Sequence, residues 1–237
     1  MTDREIDNIL TQGALAPHNV EPELLDRLAA SLGSTIVPVR PLPPVWLISL
    51  GLVLIGAAVA LAGAARLGFN GLLKLNGVER AMIFPALAIC LWLSATAAVR
   101  ARIPGSRRLA APETLLALDS LALIAIFAIL FHDYHVVHFV HAGLVCLAAG
   151  LLFAIPAALA GWLLLRRGFA VNAGAAGLAA GTLAGLAGVS MLELHCANFQ
   201  ALHVMVWHSA VLPVSGTAGA LLAWFLRSRS GPGASEK

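Results

Sequence analysis

Polar and apolar positions divide this chain into two unlike parts. Residues 1–44 mix the two kinds, whereas from Val45 to Leu226 long apolar runs follow one another across short polar breaks. In the first part, Thr2 with Glu5 fits a capping box, and Ile6, Ile9 and Leu10 share a face, which predicts a short helix over Thr2–Leu10. Gly13–Val20 reads as a loop. Glu21–Leu32 predicts a better helix, with Pro22 in its first turn, acids early, and Leu24, Leu25, Leu28 and Leu32 along one side, stopped by Gly33. A short amphipathic helix cannot bury its stripe alone. Its polar face is acidic, unlike the Lys- and Arg-rich face of helices that lie on membranes, so a protein partner is expected for it. Val37–Pro44, with four prolines, predicts a stiff extended tether.

The second part holds six apolar segments, each near the roughly 20 residues that cross a bilayer. They are placed at 45–65, 81–99, 114–131, 139–165, 171–193 and 202–226. The fourth contains Pro156, a candidate kink. The fifth repeats Gly174, Gly177, Gly181, Gly185 and Gly188, a small-residue pattern that lets a neighbouring helix approach closely. Asp119 lies inside the third, placed to pair with an arginine or reach the interface. The loops set the orientation. The second holds Arg100, Arg102, Arg107 and Arg108, the fourth Arg166 and Arg167, and the tail Arg227 and Arg229. The third and fifth loops have no Lys or Arg. By the positive-inside rule both termini are cytoplasmic.

Composition agrees. The chain is 59% hydrophobic and 11% charged, with a mean hydropathy of +0.88, whereas soluble domains carry roughly 25% charged residues. The expected fold class is an all-α integral membrane protein. Its parts are a cytoplasmic arm and tether (1–44), a six-helix membrane domain (45–226) and a cytoplasmic tail (227–237). The first 40 residues lack an apolar core segment, so no cleavable leader is expected. Charge is uneven. Residues 1–44 carry six acids and three bases, a net of −3, against +3 for the whole chain.

Candidate chemistry gathers at the outward ends of the segments. Leu194–Pro213, LHCANFQALHVMVWHSAVLP, packs a cysteine, three histidines and a tryptophan between apolar runs. An earlier cluster runs from His132 through His135, His138 and His141 to Cys146. Counting about twenty residues along the fourth and fifth segments puts Cys146 and Cys196 near the same outer boundary. Cys90 falls mid-helix and reads as a buried small hydrophobe. His135, His138 and His141 step by three and share a face if helical, and His203 shares one with Trp207. Thiolate and imidazole together suit Zn, Cu, Cd or similar ions. In an oxidising compartment the two thiols suit a disulfide equally. The candidate ligands are His138, His141, Cys146, His195, Cys196, His203 and His208, for a regulatory rather than a required metal. No CxxC or HExxH motif is present.

These stretches resemble the NrsF-type anti-sigma factors, six-helix inner-membrane proteins that negatively regulate an extracytoplasmic-function sigma factor. The resemblance rests on LLDRLAASL in the arm and on a Val-Arg-Pro-Leu-x-Pro tether before a helix that starts with Trp. It continues through CLAAGLLFAIPAALAGWLLLRRG, AGLAAGTLAGLAG and LHCANFQALHVMVWH. The family often has Pro after its second cysteine, where this chain has Ala197. The resemblance implies a bacterial inner-membrane protein that is no enzyme. Its cytoplasmic arm binds the sigma factor, here through Leu24, Leu25, Asp26, Leu28 and Leu32, and two periplasmic-side thiols, Cys146 and Cys196, serve signalling. It implies no direct contact with nucleic acid. Three other readings use the outer His/Cys cluster: a membrane thiol oxidoreductase, a haem protein and a metal transporter. None of them accounts for the acidic arm.

Overall fold

The computed structural model describes residues 22–35, 43–103, 105, 106, 110–165 and 172–229, with Glu5, Asn8 and Thr11. The chain divides into two units, Met1–Leu42 and Pro43–Lys237. In the first, helix α1 spans Pro22–Thr35, with Pro22 and Glu23 in its first turn. It runs past Gly33, the expected stop. Arg27 reaches Glu23 at 3.7 Å, but both are exposed, and such a pair is worth little. Asp26 and Leu28 are exposed. The side chains of Leu24, Leu25 and Leu32 lie outside the described residues, as do the expected Thr2–Leu10 helix (apart from Glu5 and Asn8), the Gly13–Val20 loop and most of the tether.

Among its described residues, the regular structure of the second unit is helical. Helix α2 spans Val45–Leu67, α3 Asn70–Lys74, α4 Gly77–Arg100, α5 Pro112–Leu130, α6 Phe139–Leu165 and α7 Ala173–His195. The last helix, α8, covers residues 201–229 in three continuous pieces: Ala201–His203, a π-helical turn Val204–His208, and Ser209–Arg229. Among the described residues six helices are long and apolar enough to cross a membrane: α2, α4, α5, α6, α7 and α8. The outer faces of α2, α4, α5, α6 and α8 expose large apolar side chains such as Leu54, Ile89, Leu121, Leu152 and Leu221, as helices solvated by lipid do.

Helix α4 begins at Gly77, four residues before the apolar segment placed at 81–99. Asn76 accepts from the Glu79 N–H at 2.9 Å, and Glu79 accepts from the Asn76 N–H at 2.7 Å. Polar residues that read as loop are therefore the cap of the helix. Asp119 faces the interior of the bundle and pairs with a serine. It is 3% exposed and accepts a 2.7 Å hydrogen bond from Ser94 Oγ of α4.

Helix α7 is the centre of the bundle. In its membrane-length window 78% of residues are buried, against 22–56% in the other five. It packs against every other spanning helix, most extensively α8. Its glycines make this possible. A Cβ at Gly177 would strike the Gly219 carbonyl of α8, one at Gly181 the Ser215 carbonyl, and one at Gly188 the Gly150 carbonyl of α6. Backbones approach this closely only where side chains are missing.

At one end of the bundle three connections knit together. The Ala201 N–H donates to Asp133 O at 2.7 Å. Phe131 stacks on Phe199 with ring centroids 5.1 Å apart. Lys74 Nζ donates to Ala197 O at 3.3 Å. Gly71 of α3 lies against the carbonyls of Glu193 and Cys196, where a side chain has no room. This end holds the thiols.

Candidate functional site

Cys146 projects from α6, two turns from its start, and is half-buried. Cys196 caps the C-terminus of α7, its N–H bonded to Leu192 O at 2.7 Å, and is 6% exposed. The two sulfurs lie 3.5 Å apart. The Cys146 hydrogen bond and burial push the Cys196 thiol above its ordinary range, while His203 and His208 pull it back.

Two histidines complete the group. His203 Nε2 lies 3.8 Å from Cys196 Sγ. His208 sits beside His203, rings edge to face with centroids 5.3 Å apart. One ligand atom from each of Cys146, Cys196, His203 and His208 falls within 4.8 Å of all the others. The π-helical turn explains the pairing of the histidines. With i→i+5 hydrogen bonding, residues five apart share a face, so His203 meets His208. The expected partner of His203, Trp207, turns away instead. It packs on Phe139, with centroids 5.5 Å apart, and on the bare backbone of Gly143, where a Cβ would fall on its indole.

The remaining candidate ligands are elsewhere. His138 and His141 are exposed. The expected shared face of His135, His138 and His141 does not form, because residues 131–138 are not helical and His138 has φ of 52°. His135 binds Asp133 at 2.8 Å, and its backbone N–H and ring hold that carboxyl below the usual carboxylate range. His195 donates from Nδ1 to Gly68 O at 2.9 Å.

One residue escaped the sequence reading. Glu193 is fully buried and shares a 2.6 Å hydrogen bond with His208 Nδ1. A signal was present, since Glu193 is the sole acid between Asp133 and Glu236. Its bond to Nδ1 leaves His208 Nε2 for the thiol side. That nitrogen is buried without a hydrogen-bond partner among the described residues, as are His203 Nδ1, Trp207 Nε1 and Glu193 Oε2. Orphaned buried polar atoms are rare in folded proteins. Chemically, the arrangement offers two thiols close enough to be oxidised together, or two thiolates and two imidazoles converging on one point.

No curated protein and no solved structure matches the chain. A family model described as NrsF, Negative regulator of sigma F, matches residues 32–227. The match takes in five of the six membrane-length helices whole, α8 up to residue 227, and all four clustered residues. Of the arm positions, Leu32 is the first matched residue, and Leu24, Leu25, Asp26 and Leu28 precede it. The chain belongs to the NrsF family of negative regulators of sigma F.

Proposed function

We propose that the protein is a bacterial inner-membrane anti-sigma factor with both termini in the cytoplasm. Its N-terminal arm sequesters an extracytoplasmic-function sigma factor, and a periplasmic metal ion or oxidant acting at Cys146 and Cys196 releases it. Family membership supports the sigma-factor partner. The approach of the two thiols to 3.5 Å is the observation that carries the sensing reading. The net −3 of residues 1–44 complements the basic DNA-binding surfaces of sigma factors and would steer the encounter. A short arm that orders on binding gives a modest affinity, and a small conformational shift can switch it. The signal travels by repacking. Cys146, Cys196 and the histidines stand on α6, α7 and α8, and α7 touches every other spanning helix.

The test uses the tagged full-length protein in cells that encode it. Wild type is expected to co-purify with a sigma factor, and Leu25→Glu/Leu28→Glu to lose it. Cys146→Ser/Cys196→Ser should keep the sigma factor but no longer release it on metal or oxidant challenge. Absence of any sigma factor from the wild-type complex overturns the proposal. Normal release from the double serine variant overturns its sensing half.

A further inference from the structure

The thiol pair stands in a larger built site. Four potential ligands converge from three helices, and the side chain at its centre is prepared for a guest. His208 is 0% exposed. Its Nδ1 is engaged by Glu193 at 2.6 Å, while its Nε2 has no hydrogen-bond partner among the described residues. A metal-binding imidazole is held in this way, one nitrogen fixed by a carboxylate so that the other presents its lone pair.

We infer that Cys146, Cys196, His203 and His208 form one four-coordinate site for a thiophilic divalent cation of the zinc and cadmium class, with Glu193 as the positioning residue behind His208. The inference deepens the proposed function. It rests on that reading for its signalling role but not for its chemistry.

Distances support the donor set. A tetrahedral zinc with sulfurs at about 2.3 Å and nitrogens at about 2.0 Å spaces its ligand atoms roughly 3.3–3.8 Å apart. Here Sγ to Sγ is 3.5 Å, Sγ to Nε2 of His203 is 3.8 Å, and no pair exceeds 4.8 Å. Closing the widest pair from at most 4.8 Å to that spacing takes a change of roughly 1–1.5 Å, shared between two side chains. A disulfide requires about 2.05 Å, so the sulfurs must move further to bond than to share an ion.

Charge supports it too. When M²⁺ binds, each thiol S–H breaks, a metal–sulfur bond forms in its place, and two protons leave to solvent. Two thiolates and two neutral imidazoles balance the charge of M²⁺ in the coordination shell, and the Glu193 carboxylate behind His208 leaves the buried assembly at −1, far less charge than the same thiolates and carboxylate would carry without the ion. Soft sulfur and borderline nitrogen donors select zinc, cadmium and similar ions over Mg²⁺ or Ca²⁺. Cys146, the half-buried member, gives the entry point. A bound ion would clamp α6, α7 and α8 together at the end where three connections already interlock.

The test is metal binding to the full-length protein, purified in detergent and stripped with chelator. Titration with Co²⁺ should give one ion per chain, with tetrahedral ligand-field bands and thiolate-to-metal charge transfer. Zn²⁺ or Cd²⁺ should displace it, and Mg²⁺ should not. Cys146→Ser/Cys196→Ser should lose the charge-transfer band. His203→Ala and His208→Ala should weaken binding and alter the ligand field. Glu193→Gln should weaken binding about 10–100-fold while keeping the wild-type spectrum. X-ray absorption on the zinc-loaded wild type, which needs no variant, should show two sulfur and two nitrogen neighbours. An oxygen-dominated shell, a shell without nitrogen, or a Co²⁺ spectrum indifferent to both histidine variants overturns the inference. None of these readouts depends on the sigma factor. Failure of sigma capture would sink the anti-sigma reading and leave the site standing, and the reverse also holds.

Discussion

Asp119 and Glu193 are two acids buried in largely apolar helices. Burying either without a partner would cost several kcal/mol. Glu193 is met by His208 at 2.6 Å. Asp119 is met by Ser94 at 2.7 Å and by the thiol of Cys90. The solutions differ in kind. The first fixes an imidazole at the candidate site, and the second ties α4 to α5. Ser94→Ala removes a donor from a buried acceptor and should cost about 1–3 kcal/mol. It should lower the melting temperature of the purified protein in detergent, while Ser94→Thr, which keeps the hydroxyl, should not. Equal melting of wild type and Ser94→Ala would show that this hydrogen bond holds nothing together. The sequence marked both acids as exceptional by their apolar surroundings. Their partners were not legible, because Ser94 lies 25 residues and His208 15 residues away, and spacing along one helix says nothing of either.

Helices α7 and α8 show how far pattern reading carries at the scale of an element. The glycine repeat of α7 announced close packing, and the structure uses it against Gly219, Ser215 and Leu212 of α8 and Gly150 of α6. Gly181→Val should force the two backbones apart and cost about 1–3 kcal/mol or more, with reduced yield of folded protein and a lower melting temperature. Gly77→Ala is the control. It sits in the first turn of α4 with nothing within 4 Å of an added Cβ, and should leave both unchanged. Matching losses in the two variants would mean that glycine as such, rather than interhelical contact, is what matters. The start of α8 shows the opposite case. Regular α-helical spacing pairs His203 with Trp207. The π turn Val204–His208 rotates that register, so His208 takes the place beside His203 and Trp207 swings to Gly143. No local propensity in VMVWH predicts such a turn. The turn lies against α5 and α6, and its His208 side chain reaches Glu193 of α7.

The whole molecule is polarised. Along the sequence, arginines gather in the second and fourth connections and the tail, with Arg66 and Arg80 in the first, whereas every histidine but His18, together with Cys146 and Cys196, lies at or beside the third and fifth connections. If the positive-inside rule governs, a reporter enzyme active only outside the cytoplasm should be active when fused after Tyr134 and inactive when fused after Arg229. The reverse result would put the thiols in the reducing cytoplasm and end the periplasmic-signal reading. The same polarity separates input from output. On the proposed topology the cluster of Cys146, Cys196, His203 and His208 would face the periplasm and residues 1–44 the cytoplasm, and a signal would then pass through helix packing.

Much of this was determined by the sequence alone. Bilayer thickness demands about 20 apolar residues per crossing. Hydropathy therefore marked six membrane-length helices, loop charges indicated an orientation, and the arm stood out by its acids and prolines. Depth counting brought Cys146 and Cys196 to one level, since rise per residue is a local constant. Only the tertiary structure decided which histidines join them. His203 and His208 are brought in by a π turn and by the packing of α8 on α6 and α7. His138, His141 and His195 are excluded by a non-helical connection, by exposure and by a hydrogen bond to Gly68. Glu193 gains its role only because His208 folds back onto α7. Crossing a membrane is a property of segments and can be summed along the chain. Convergence of side chains from three helices depends on how those helices pack, and no single segment encodes it.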